Sequence, residues 1–204
     1  MAELKLGILG GTFDPVHLGH LLMADVAQEE FSLDRVIFMP AGLPWRKTER
    51  EITPAKHRLN MLDLALQGTG FRVSTAEMER EGPSYTVDTL EQLATEYPGA
   101  ALFFILGYDA LLDMPNWKSP ERIVQLATLV VALRRHGDEL HNRDLARVLQ
   151  DGRLHKLAMP IIEISSSDIR ERVASGRSIR FRVPPGVEEY IRRNNLYQRP
   201  TGGK

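Results

Sequence analysis

Two histidines three residues apart, His17 and His20, are the sharpest chemical signal in the chain. They lie in the string GGTFDPVHLGH, residues 10–20, between a short strand pattern, Lys5 to Leu9, and a helical pattern, Leu18 to Phe31. A spacing of three puts both rings on one face of a helix start. Imidazoles placed there can donate hydrogen bonds to an anion, and their protonated forms add charge. Gly10 and Gly11 let the backbone turn sharply and approach a ligand closely, and the positive end of the following helix favours phosphate. Gly19, between the histidines, leaves room for a bulky group beside both rings. Neither the GxxxxGK[ST] loop nor the GxGxxG loop is present. Taken alone, the pair also fits a structural helix start or part of a metal site.

A second anion site is written near the other end. In ISSSDIR, residues 164–170, Ser165 or Ser166 can cap a helix whose first amides point at a ligand. Arg170 follows one turn later and can reach back with a planar fork. A plain serine cap with a surface arginine has the same letters. Between the two segments lie PSYTVDTL (83–90), GYDALL (107–112), PNWKS (115–119) and LRRHG (133–137). Asp109 can accept ribose hydroxyl hydrogens at a strand end. Trp117 sits in a polar loop, where its flat face can stack on a cationic ring. Arg134 and Arg135 are candidates for a phosphate, or simply two solvated arginines.

The elements that must position these groups alternate. Strands are expected at Lys5–Leu9, Arg35–Met39, Phe71–Thr75, Ala101–Gly107, Thr128–Leu133 and Leu154–Ala158. Helices are expected at Leu18–Phe31, Pro54–Gln67, Tyr85–Tyr97, Glu121–Leu126, Asp138–Gln150, Ser167–Ala174 and Val187–Asn194, with Thr53 capping the second. The almost wholly apolar Ala101–Gly107 reads as a strand buried on both faces. The sum is an α/β fold, a doubly wound parallel sheet with a small C-terminal helical portion. In such a sheet ligands sit beyond the carboxyl ends of the strands, so the segments just after Leu9, Met39, Leu106 and Leu133 matter most. Residues 1–197 read as one domain and 198–204 as a frayed polar tail.

Bulk properties narrow the class. The 204 residues can bury a full core. The net charge of −1 gives no bulk attraction to nucleic acid or an acidic membrane, so an anionic substrate needs a local positive cluster. The absence of cysteine excludes disulfides, thiolate catalysis and cysteine-ligated metals. No secretory signal is visible, and the longest apolar run, Leu126 to Leu133, is too short to span a bilayer. A cytoplasmic setting, with no nucleic-acid or membrane partner, is the expectation. A homo-oligomer is compatible with the residues.

The string GGTFDPVHLGH resembles the H-x-G-H loop of the nucleotidyltransferase superfamily, and within it the nicotinate mononucleotide adenylyltransferase branch. ISSSDIR is similar to that superfamily's ISST-x-IR motif, with Ser167 where threonine is common. SYTVDTL, PNW and VPPGVEEYIRRNNLY extend the likeness over nearly the whole length. The resemblance implies a Rossmann-like nucleotidyltransferase fold and transfer of AMP from ATP to nicotinate mononucleotide, giving deamido-NAD and pyrophosphate in NAD biosynthesis. His17, His20 and Arg170 would be catalytic. Gly10, Gly11, Thr12, Phe13, Lys47, Gly107, Asp109, Ser166 and Ser167 would bind ATP. Thr86, Trp117 and Arg134 would hold the mononucleotide. Magnesium would arrive with ATP, without a resident metal site. The family's PPHK or PPHR stretch is here Pro44-Trp45-Arg46-Lys47, which moves the basic role to Arg46 or Lys47. Enzymes using nicotinamide mononucleotide or phosphopantetheine, and nucleotide binders without turnover, share the loop and are the competing readings.

Overall fold

The computed structural model describes residues 3–44, 52–133 and 153–199. The described strands are β1 (Lys5–Gly11), β2 (Arg35–Pro40), β3 (Leu43–Pro44), β4 (Arg72–Val73), β5 (Pro83–Ser84), β6 (Ala101–Gly107), β7 (Ala127–Ala132) and β8 (Leu154–Lys156). The described helices are α1 (Leu18–Phe31), α2 (Ala55–Leu66), α3 (Ala76–Glu79), α4 (Thr86–Glu96), α5 (Tyr108–Asp113), α6 (Pro120–Leu126), α7 (Ser166–Ala174) and α8 (Pro185–Arg193), with a 3₁₀ turn at Met114–Asn116. Six strands form one sheet in the order β4-β2-β1-β6-β7-β8, and β3 pairs separately with β5. Every described pairing is parallel.

The strand interiors are apolar because both faces of the sheet are covered. Side chains alternate between two cores with the period of two that a strand imposes. Val36 and Phe38 of β2, Ile105 of β6 and Val130 of β7 join the core that holds Met61, Ile169, Val187 and Ile191. Their neighbours Ile37, Met39, Phe104, Leu106, Leu129 and Val131 join the other, with Leu90, Leu111 and Ile123. The first core thus takes in α1, α2, α7 and α8, and the second α4, α5 and α6. Winding reverses at β1, which lies between β2 and β6. The carboxyl ends of β1 and β6 therefore flank the crevice where such a fold binds ligands.

Several expected boundaries move. β1 runs on through Gly10 and Gly11, so those glycines extend the strand, and the sharp turn falls at Phe13, with φ of 50°. Helix α2 starts at Ala55 with Pro54 as its cap. Thr53 is used otherwise: its amide donates to Asp14 Oδ2 at 3.4 Å and its carbonyl accepts from Arg58 Nε at 3.0 Å. The strand expected at Phe71–Thr75 shortens to β4. The expected helix Asp138–Gln150 and residues 200–204 of the expected tail lie outside the described residues. No helix among the described residues is long and apolar enough to cross a membrane.

Two buried polar side chains lock the loops above the sheet. Arg58 is 2% exposed, and its guanidinium also donates to Thr12 O at 2.9 Å and Gly42 O at 3.3 Å. Three loop carbonyls thus share one cation. Glu77, 8% exposed, accepts from Thr89 Oγ1 at 2.6 Å. A side chain at Gly42 would bring its first carbon to 2.2 Å from Glu77 O, so only glycine fits there. Burial holds the Glu77 carboxyl above its ordinary pKa, and the hydrogen bond from Thr89, the charge of Arg80 and the hydrogen bond from Ser84 pull it partway back.

Arg58→Met should keep the stem packing but strand those carbonyls, lowering unfolding free energy by about 3 kcal/mol or more. A urea midpoint unchanged from the parent would refute it. The folded protein holds the Glu77 proton more tightly than the unfolded chain does. Its favourable contribution is therefore complete below the ordinary carboxylate value of 4.5 and fades as pH rises through the raised folded value. Glu77→Gln should gain stability relative to the parent over that rise; a pH-independent difference in urea unfolding would contradict the assignment.

Candidate active site

The histidines sit where α1 begins. His17 caps the helix in an extended conformation. Its carbonyl accepts from the amides of His20 at 2.9 Å and Leu21 at 3.4 Å. The His17 amide donates to His20 Nδ1 at 3.2 Å. In a neutral ring that contact makes Nδ1 the acceptor and leaves the proton on Nε2. The two rings stack, with centroids 3.6 Å apart and planes 21° from parallel. A side chain at Gly19 would meet His17 Nδ1 at 3.1 Å. The His17 ring thus takes part of the room that Gly19 leaves, and Gly19 also lines the second cavity described below.

The Phe13 side chain belongs to the core. It is 2% exposed, and its ring stands edge-on to His20 at 5.0 Å and tilts against Phe38 at 5.6 Å. A core side chain of this kind braces His20 from behind, so only its backbone can face a nucleotide. Gly11 lies against the same ring: a side chain there would come within 3.1 Å of it.

The two helix starts meet. Ser165 caps α7, its Oγ accepting the Asp168 amide at 3.1 Å. Ser166 Oγ donates to Pro15 O at 2.8 Å. Arg170 donates through Nη1 to Asp14 O at 2.6 Å and through Nη2 to Ser167 Oγ at 2.9 Å. The ISSSDIR segment is therefore bonded directly to the loop that carries the histidines. Arg170, Ser166 and Ser167 stand beside that loop, outside the linings of the two cavities described next.

Those cavities open at the carboxyl ends of β1 and β6. The first is lined by Gly10, Gly11, Thr12, Glu77, Ser84, Thr86, Thr89, Phe104 and Trp117 among others. The second is lined by Gly10, His17, Gly19, His20, Asp109, Met159, Ile162 and Ile164 among others. They share Gly10, Gly107 and Ala110. Thr86 opens α4, and Asp109 lies in the first turn of α5. Trp117 is held from both ends: its Nε1 donates to Asp113 Oδ2 at 3.0 Å, and its ring lies edge-on to Phe104 at 6.2 Å. Lys118 beside it pairs with Asp88 at 2.8 Å and sits 4.8 Å over the Tyr85 ring. Lys47, Arg46, Arg134 and Arg135 lie outside the described residues.

Sequence reasoning missed Glu77, Ser84 and Thr89 in the first cavity and Met159, Ile162 and Ile164 in the second. Thr89 was within reach, since it follows Thr86 on one helix face. Met159 and Ile162 carry no local signal; they reach the site only through the path of the chain from β8 to α7.

Comparison with known proteins agrees with this arrangement. Residues 8–172 match the cytidylyltransferase-like family. A protein of Thermomicrobium roseum named as a probable nicotinate-nucleotide adenylyltransferase is 52% identical, over 95% of this chain and 92% of its own. One of the same name from a Thermoanaerobacter species is 43% identical over 97% and 96%. The Plasmodium falciparum nicotinic acid mononucleotide adenylyltransferase, solved in complex with NaAD, superposes with a TM-score of 0.78 at 20% identity, covering 96% of this chain and 98% of that one. With a family match across most of its length and near full-length relatives above 40% identity, the chain belongs to the cytidylyltransferase-like family and, within it, to the nicotinate-nucleotide adenylyltransferases.

Proposed function

We propose that the two cavities hold the two substrates of one adenylyl transfer, nicotinate mononucleotide in the first and ATP in the second. The observation that carries this reading is their common floor. Gly10 lies next to the carboxyl end of β1, Gly107 closes β6, and both line both cavities. Without side chains, they let the two phosphates approach the backbone and one another. The reaction is transfer of AMP from ATP to nicotinate mononucleotide, giving deamido-NAD and pyrophosphate in NAD biosynthesis. The relatives' shared name and the NaAD bound to the Plasmodium enzyme both favour it.

A phosphate oxygen of the mononucleotide attacks the α-phosphorus of ATP in line; a new phosphoanhydride forms as the bond to pyrophosphate breaks. Both reactants are anions, so the protein must orient them and supply donors where charge develops. His20, with its proton on Nε2, and His17 donate to the α- and β-phosphates. Arg170, Ser166 and Ser167 receive the leaving pyrophosphate. Trp117, fixed by Asp113, presents its face to the pyridinium ring, and Thr86 offers its hydroxyl and amide to the nicotinate carboxylate. Asp109 accepts from a ribose hydroxyl of ATP. The attacking phosphate is already ionised near neutrality, its second pKa being about 6, so no general base is needed. ATP is taken as its magnesium complex, with the metal carried on the phosphates.

Pyrophosphate release from ATP should be fast with nicotinate mononucleotide and much slower with the nicotinamide form or phosphopantetheine; a panel with no preference would overturn the acceptor assignment. His20→Ala should cut turnover by about 10²–10³-fold, the scale of one lost oxyanion donor, while mononucleotide affinity holds. Near-parental turnover would remove His20 from the chemistry. Trp117→Ala should raise the KM for the mononucleotide and spare that for ATP, and an equal rise in both would count against stacking.

A further inference from the structure

The family likeness extends through the C-terminal VPPGVEEYIRRNNLY, whose last residue, Tyr197, lies outside the linings of both cavities. Tyr197 follows α8 and packs its ring against the core that contains Ile169 and Ile191. Its hydroxyl donates to Asp14 Oδ1 at 2.7 Å, across 183 residues of chain. Asp14 is 1% exposed and is tied in two other directions. Its Oδ2 accepts the Thr53 amide, and its carbonyl takes Arg170 Nη1. Next to it, Pro15 O takes Ser166 Oγ. The carboxylate of Asp14 is thus the knot between the C-terminal segment and the turn at residues 12–15, and the peptide it holds carries the arginine.

We propose that Tyr197 is a positioning residue for the triphosphate, acting through Asp14 to hold the turn in the register that aims Arg170 and the start of α1 at ATP. A carboxylate this buried needs donors on its oxygens to stay ionised and in place. The hydroxyl of Tyr197 is one of those donors. With that donor gone, the Asp14 side chain relaxes. Its backbone carbonyl, the seat of Arg170, moves with it. The cavity that holds Thr86 and Trp117 takes Glu77, Thr86, Thr89 and Trp117 from other elements and meets the turn only at Thr12, so it feels the change far less. Burial and the neighbouring Asp14 charge both keep the Tyr197 hydroxyl protonated far above the working range, so the donor persists at every physiological pH.

The inference rests on ATP occupying the cavity beside His17 and His20. Tyr197→Phe keeps the ring and removes only the hydroxyl. It should raise the KM for ATP about tenfold, the effect of losing one hydrogen bond to a buried charge. The KM for nicotinate mononucleotide should stay within about twofold of the parent, a split that a general loss of folding would not give. Asp14→Asn weakens the same contact from its other end and should show the same selectivity; the double variant should be little worse than Asp14→Asn alone. Equal rises in both KM values, no rise in either, or additive losses would overturn the role. If Tyr197→Phe does not fold, Asp14→Asn decides by the same criteria. Direct titration with ATP reads the contact even if nicotinate mononucleotide proves not to be the acceptor, so the two ideas fail separately.

Discussion

The structure turns on two hydrogen bonds to backbone carbonyls: Ser166 Oγ on Pro15 and Arg170 on Asp14. They join segments 151 and 156 residues apart and fix the start of α7 beside the start of α1. Neither carbonyl lies in a strand or helix, so no ladder satisfies it, and a buried carbonyl without a partner costs about 1–3 kcal/mol. The same contacts that close the fold therefore bring the serine run and Arg170 against the loop that carries the histidines. Stability and site geometry rest on the same two groups. This is why the last third of the chain cannot be treated as a lid added to a complete enzyme.

The histidines obey a related economy. Rings stacked at 3.6 Å would repel if both were cationic, so the pair is suited to act through N–H donors rather than fixed charge. Donation from the His17 amide selects the tautomer of His20, and Phe13 walls off its far side. Gly19 serves the same packing: a side chain there would press on the His17 ring at 3.1 Å. The motif spacing thus records the packing of the two rings on each other as much as their relation to a substrate.

Much of this was legible in the residues. The apolar runs at 101–107 and 128–133 read as buried strands, the second falling one residue earlier at Ala127–Ala132, and α1 falls at Leu18–Phe31 as its pattern suggests. The histidine pair, the serine run and Trp117 announce themselves by residue type in loops. What stayed hidden depends on contacts distant in sequence. Arg58 looks like one more polar position on α2, yet three loop carbonyls converge on it. Glu77 reads as part of a charged stretch, TAEMERE, although it is buried against Thr89. Phe13 carries the letters of a phosphate loop but the exposure of a core residue. Short elements such as β3, β5 and α5 are too brief for any periodicity to register.

A chain with net charge −1 that joins two phosphates has to overcome repulsion without a basic surface. The fold does this by direction rather than by sum. Helix α1 begins just after the turn over residues 12–15 and α7 begins against it, so the two helix starts lie close together. Gly10 and Gly107, without side chains, leave the floor shared by the two cavities open. Much of the remaining polar contact, including Arg58 to Thr12 and Tyr197 to Asp14, goes into holding that turn still. Donors fixed before substrate arrives need no reorganisation when charge shifts to the leaving group. A site built in this way is expected to be sensitive to rigidity in the turn over residues 12–15, and much less so to charges elsewhere on the surface.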